Sequence, residues 1–133
     1  MAAHFLNPPG LNPTNGWTQV VVSTGGKTIY VSGQVSVDER GQTVAKGDLK
    51  GQTEKTFANL QVALKAAGAG FGDVVKMNLY VVGLRPEQVP LIREVRGRYI
   101  NKENPPASTL VGVSALVGAD WLIETDVVAV VMD

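Results

Sequence analysis

The sequence predicts an α+β domain, and three kinds of segment support that prediction. Stretches rich in β-branched residues stand towards both ends of the chain, two stretches with helical periodicity lie between them, and glycine and proline separate the stretches. The predicted order is βββαβαββ, with two helices on one face of a single six-stranded mixed sheet. The 133 residues contain no repeat and no long linker, so one domain spanning 1–133 is expected.

Three opening strands follow a start that is dense in proline and glycine. They are expected at residues 17–23, 27–32 and 34–37. The first two flank Thr24-Gly25-Gly26, and β-rich runs around a Gly-Gly pair predict a hairpin. The third strand should end at the turn over residues 38–41.

Helical periodicity begins at Asp48 or Thr53 and is predicted to stop at Gly68. Its apolar stripe is Phe57, Leu60, Leu64 and Ala67. A strand over residues 74–82 follows, and Pro86 suits the first turn of a second helix, which ends before the prolines at 105 and 106. The apolar stripe of that helix is Leu91, Ile92, Val95 and Tyr99.

The last two strands are expected at residues 109–116 and 121–131, joined by a turn at 118–120. The final strand contains an unbroken apolar run, residues 127–131, so both of its faces require cover. The helices can cover one face, and a second copy of the chain is the simplest cover for the other. Periodicity therefore predicts an oligomer without giving the number of subunits.

Composition and charge argue against several classes of function. Twelve basic and twelve acidic residues leave a formal charge of zero, whereas nucleic-acid binders usually carry a basic excess. The absence of cysteine excludes disulfides and a cysteine nucleophile, and the single histidine, His4, leaves little for transition-metal binding. The first twelve residues lack the pattern of a signal peptide or membrane span, so a cytoplasmic protein without membrane contact is expected.

Two places along the strands are candidates for chemistry. Ser32-Gly33 lies where the second strand passes into the third, so a hydroxyl and a bare backbone could approach a ligand there, although a plain strand–turn junction is the alternative. Glu124 lies inside the last strand, where a solvated acid is the ordinary interpretation. If Glu124 faces a cleft, it becomes a candidate to position or deprotonate water.

The second helix carries three arginines: Arg93, Arg96 and Arg98. Glu94 and Arg98 have the spacing of an i,i+4 ion pair, so ordinary surface charge is the main interpretation of this patch. The patch is too small to indicate a nucleic-acid partner.

Three longer segments, in their order and spacing, resemble the Rid/YjgF family, which includes RidA-like and "endoribonuclease L-PSP" proteins. They are Tyr30–Val35 (YVSGQV), Asn104–Val111 (NPPASTLV) and Leu122–Val130 (LIETDVVAV). The resemblance covers nearly the whole chain and implies a chorismate-mutase-like fold, a homotrimer, and three small-molecule clefts between neighbouring subunits. The best understood family members hydrolyse reactive 2-imino and 2-enamino acids to ammonia and a keto acid without a cofactor, so no cofactor and no metal are expected here.

By this resemblance, Glu124 matches the glutamate that positions water, and Ser32 and Gly33 match residues that line the cleft. The positions at which this sequence differs from the family pattern are ones that the resemblance assigns to substrate binding. Ser108 stands where the family has an arginine that grips the substrate carboxylate, and serine has neither the charge nor the reach to do so. Trp17 replaces a tyrosine and Leu110 a cysteine.

One replacement for the missing clamp is Arg93, whose guanidinium is hypothesised to enter the same cleft from the helix. Three functions then compete. The first is hydrolysis of an imine or enamine other than the usual 2-imino acid, with Glu124 positioning water and Trp17 forming an apolar wall for a neutral or aromatic substrate. The second is a non-catalytic metabolite-binding or regulatory trimer. RNA cleavage or translation inhibition fits the charge and the single histidine least well.

Overall fold

The computed structural model describes residues 3–132 as an α+β fold. Its strands are β1 (Ala3–Leu6), β2 (Val20–Ser23), β3 (Lys27–Gln34), β4 (Val74–Val82), β5 (Ala107–Val113) and β6 (Ile123–Val131). Its helices are α1 (Leu49–Ala66) and α2 (Val89–Gly97). The fold class and the order βββαβαββ are confirmed. Within the described residues, neither helix combines the length and apolar character that a membrane span requires.

The strands form two sheets, so the expectation of a single six-stranded sheet is wrong. β1 and β2 pair antiparallel as a separate ribbon, and the larger sheet has the order β3-β6-β4-β5, with β4 and β5 parallel. The expected hairpin is also wrong. Gly25 and Gly26 turn the chain at positive φ, but β2 pairs with β1 whereas β3 pairs with β6.

Local signals place most of the remaining boundaries. Asp48 caps α1 by accepting a hydrogen bond from the Gly51 N–H over 3.1 Å, and Gly68 follows the helix at a φ of +75°. β4 has the expected bounds. The third opening strand is wrong, because β3 itself continues to Gln34 and residues 35–37 lie beyond it.

The core lies between the large sheet and the two helices. Its fully buried side chains include Phe57, Leu60, Leu64, Met77, Leu79, Ile92, Val95 and Ile123. Because strand side chains alternate, the same strands present a second set to the opposite face. We call this the open face, and its residues include Tyr30, Asn78, Tyr80, Glu124, Asp126 and Val128.

Candidate functional site

The candidate site residues fall into two groups on opposite faces of the large sheet. The first group lines a depression of about 200 Å³, which we call the arginine pocket: Trp17, Arg93, Arg96, Ser108 and Leu110. The second, which we call the glutamate group, consists of Ser32, Gly33 and Glu124. Ser108 and Leu110 are in register with buried residues of β4, while Glu124 is in register with Tyr80 on the open face.

Thr18 fixes the N-terminal loop against β5 and thereby places Trp17. The Thr18 N–H donates to the Pro106 carbonyl over 3.1 Å, and the Thr18 hydroxyl donates to the Pro105 carbonyl. Thr18 also forms a parallel bridge with Ala107. The half-buried Trp17 therefore lies beside the first residues of β5, where Ser108 and Leu110 follow.

Two arginines of α2 face this pocket, because residues three apart lie on the same side of a helix. Arg93 is exposed, whereas Arg96 retains 5% of its accessible surface. Neither arginine forms an ion pair with a carboxylate in the described part of the chain. Burial, followed by the nearby positive charge of Arg93, lowers the pKa of Arg96.

The interpretation of Arg96 as surface charge is therefore wrong. Gly16 lies over its guanidinium: a Cβ at that position would stand 3.0 Å from Arg96 Nη2, and the φ of +77° also favours glycine. Helical periodicity cannot reveal this burial, because the covering backbone comes from the N-terminal loop. Arg98 does behave as expected, pairing with Glu94 over 3.0 Å and with Glu54 over 2.7 Å.

Two buried polar atoms lack a hydrogen-bond partner in and beside the arginine pocket. They are Arg96 Nε and Ser108 Oγ, and no atom of residues 3–132 satisfies either. Buried polar groups are nearly always hydrogen-bonded in native proteins. The pocket thus offers an anion two guanidinium groups and a hydroxyl, together with an apolar wall from Trp17 and Leu110.

The glutamate group is built on an irregularity in β3. The pairing of β3 with β6 shifts register between Val31 and Gln34, and Ser32 and Gly33 occupy that interval. The Glu124 side chain lies directly on Gly33: a Cβ there would contact Glu124 Oε2 and stand 2.8 Å from its Cδ. Glycine at this position is what allows the carboxylate to lie against the β3 backbone.

Glu124 has polar neighbours that the sequence pattern did not single out. Asp126 accepts a hydrogen bond from Asn78 Nδ2 over 2.9 Å. Burial, together with the neighbouring carboxylates of Asp126 and Glu124, raises the pKa of Tyr80. Tyr80 therefore remains neutral beside these two carboxylates. Glu124 itself forms no hydrogen bond or ion pair within residues 3–132, so its oxygens can accept from a ligand.

The structure thus brings Trp17, Arg93, Ser108 and Leu110 together, and separately gathers Ser32, Gly33 and Glu124. Tyr80 lies beside Glu124 because β4 and β6 pair in that register, and no local sequence motif predicts the pairing. His4, exposed on β1, belongs to neither group.

Comparison with known proteins gives a consistent set of relatives. The sequence profile of the family called Endoribonuclease L-PSP matches residues 9–131. A RutC family protein of Pyrococcus abyssi is 36% identical over 104 residues, which are 78% of this chain and 79% of that protein. A 2-iminobutanoate/2-iminopropanoate deaminase of Dermatophagoides farinae is 30% identical over 84% of this chain and 80% of its own length. The crystal structure of YyfB from Yersinia pestis, a protein of the conserved Rid family, superposes with a TM-score of 0.91 at 32% identity, covering 98% of this chain and 100% of that one.

Proposed function

The chain belongs to the Endoribonuclease L-PSP family, which is the Rid/YjgF family, and from that premise we propose that it hydrolyses an imine or enamine to a carbonyl compound and ammonia. Glu124 positions and deprotonates the attacking water. One relative is named as a deaminase of 2-iminobutanoate and 2-iminopropanoate, which supports this reaction class.

The observation that carries the proposal is the placement of the Glu124 carboxylate. It lies on the bare backbone of Gly33, at the open face, with no hydrogen bond or ion pair from the described residues to occupy its oxygens. A carboxylate engaged in an internal ion pair would be a poor general base for water. Ser32 is exposed and directly precedes Gly33 on β3, and its hydroxyl can orient the same water or the substrate nitrogen.

The reaction balances with water alone. Glu124 accepts a proton from water while the oxygen bonds to the imine carbon, and the electron pair of the C=N double bond moves to nitrogen. The nitrogen takes up the proton held by Glu124, which gives a carbinolamine. The hydroxyl proton of the carbinolamine then passes to the nitrogen, the carbon–nitrogen bond breaks, and ammonia leaves as the carbonyl forms. Every step is a proton transfer or an addition–elimination at one carbon.

The arginine pocket and the glutamate group lie on opposite faces of the large sheet of one chain, so we further propose that a second copy of the chain completes the site. In the proposed homotrimer, the glutamate group of one subunit meets the arginine pocket of its neighbour. The half-buried Val128 and the 79% exposed Tyr30 on the open face support such an association, because a second copy packed there would remove both side chains from water.

The test is ammonia release from freshly generated imines, both 2-imino acids and neutral imines, by the wild type and the Glu124→Gln variant. We expect Glu124→Gln to lower kcat by about 100-fold or more, since a general base contributes roughly two to four powers of ten. Glu39→Gln is the matched control, because Glu39 lies exposed in the turn before α1. Equal turnover by wild type and Glu124→Gln would refute the role given to Glu124. No turnover of any imine by the wild type would leave a non-catalytic binding protein as the better description.

A further inference from the structure

The strongest unassigned feature of the molecule is the buried charge on α2. Arg96 is 5% exposed, its Nε has no hydrogen-bond partner, and no carboxylate of residues 3–132 pairs with it. An arginine remains protonated in proteins, so burial does not remove its charge. Burying a charge without a counter-charge is strongly unfavourable. The charge of Arg96 therefore calls for an anion from outside the described residues.

The surroundings of Arg96 define what kind of anion fits. The Ser108 hydroxyl, also without a partner, and the Arg93 guanidinium line the same pocket. These groups suit the oxygens of a carboxylate, since arginine binds planar oxyanions through two parallel hydrogen bonds. Trp17 and Leu110 provide an apolar wall, which suits a short carbon chain attached to that carboxylate.

We propose that Arg96, supported by Arg93 and Ser108, binds the carboxylate of the ligand, so that specificity for an acid is provided by α2 rather than by β5. The assignment deepens the proposed function, and its chemical meaning for the substrate depends on that function. It replaces the expectation of a neutral or aromatic substrate, which followed from the serine at position 108. It also makes Arg96 the principal group and the exposed Arg93 an auxiliary one.

A stable keto acid tests the assignment without relying on turnover. We would measure binding of 2-oxobutanoate by calorimetry, with 2-butanone as the uncharged analogue, to the wild type, Arg96→Gln and Arg93→Gln. Removing a charge-assisted hydrogen bond should weaken 2-oxobutanoate binding by roughly 10- to 100-fold in Arg96→Gln. Arg93→Gln should have a smaller effect, and 2-butanone should bind weakly to every variant.

The control and the rescue use the same helix and pocket. Arg98→Gln removes an equal charge two residues beyond Arg96, from a side chain already paired with Glu54 and Glu94, and should bind 2-oxobutanoate like the wild type. Ser108→Arg added to Arg96→Gln should restore binding at least in part, because residue 108 lines the same pocket. If Arg96→Gln does not fold, Arg96→Lys is used in its place, because lysine keeps the positive charge and that variant should remain folded.

The outcomes separate this assignment from the proposed function. Unchanged 2-oxobutanoate binding in Arg96→Gln would overturn the assignment. Where the glutamine variant is unfolded, Arg96→Lys should bind 2-oxobutanoate more weakly than the wild type, because lysine cannot form two parallel hydrogen bonds to a carboxylate, and wild-type binding by both Arg96→Lys and Arg93→Gln would overturn the assignment. The assignment would also be overturned if the Arg96 variant loses subunit association but binds 2-oxobutanoate like the wild type. A carboxylate of a second copy would then be the partner of Arg96. Binding that depends on Arg96, together with ammonia release that ignores Glu124, would support the assignment and refute the hydrolytic function.

Discussion

Gly33 and Glu124 are coupled at the level of single atoms. The Glu124 carboxyl group occupies the space that any side chain at position 33 would need. The backbone of Gly33 is not in the left-handed region, so its conformation alone would tolerate alanine. The constraint is therefore steric and acts on the position of the carboxylate, not on the course of the strand.

Gly33→Ala should consequently lower activity more than stability. The added methyl group displaces Glu124, so we expect the kcat of ammonia release to fall by about 10-fold or more, since general-base efficiency depends on placement. Overpacking of about 1–3 kcal/mol is partly offset by the lower entropy of the unfolded chain, so the free energy of unfolding should change by less than about 2 kcal/mol. Gly72→Ala is the control, because no heavy atom lies within 4 Å of a Cβ there. A Gly33→Ala variant with wild-type kcat would contradict the role given to Glu124.

Single residues also show where sequence pattern stops being informative. The place of Glu124 inside the last strand could be anticipated, because alternation along a strand is a local property. The burial of Arg96 could not, since it depends on a loop backbone at Gly16 and on β5, neither of which is near Arg96 along the chain.

Among the elements, α1 positions the strand that carries Glu124. Gln52 is fully buried on α1, donates from Nε2 to the Asp120 carbonyl over 2.9 Å and accepts from the Leu122 N–H over 2.8 Å. These two bonds satisfy backbone groups that the turn before β6 would otherwise leave unpaired. The helix thereby fixes the point at which β6 begins.

Gln52→Met should destabilise the fold by about 1–3 kcal/mol, because methionine has a similar volume but leaves the two backbone groups without partners. Urea unfolding measures this change. Gln61→Met on the exposed side of α1 is the control and should stay within about 0.5 kcal/mol of the wild type. Equal stability of the two variants would show that the turn finds other partners for its backbone groups.

The elements themselves were predictable to the extent that their signals are local. β4 and the ends of α1 follow from periodicity, an aspartate cap and a glycine stop. β1 was missed, because residues 3–6 lie in a start dense in turn residues and become a strand only by pairing with β2. The predicted hairpin was wrong because β3 pairs with β6, at the far end of the chain, and not with β2. No local sequence pattern predicts that pairing.

At the scale of the whole molecule, the division of the candidate site between two faces makes a specific demand. If one subunit supplies the arginine pocket and its neighbour the glutamate group, each catalytic site contains Arg96 and Glu124 from different chains. Variants that each lack one of these residues would then be complementary, because a mixed oligomer contains interfaces at which both intact residues meet.

Co-expression of Arg96→Gln with Glu124→Gln should therefore recover activity that neither variant has alone. In a cyclic trimer, a mixed assembly of either composition contains one intact site of three, so random assortment of equal amounts gives about one quarter of the wild-type rate of ammonia release on a 2-imino acid. Ammonia release by the purified mixed species is the measurement, and a chain carrying both substitutions, co-expressed with the wild type, checks the assortment. Failure to recover activity from mixed oligomers of verified composition would place both residues of a working site in one chain, and the open face would then need a different explanation for its exposed tyrosine and half-buried valine.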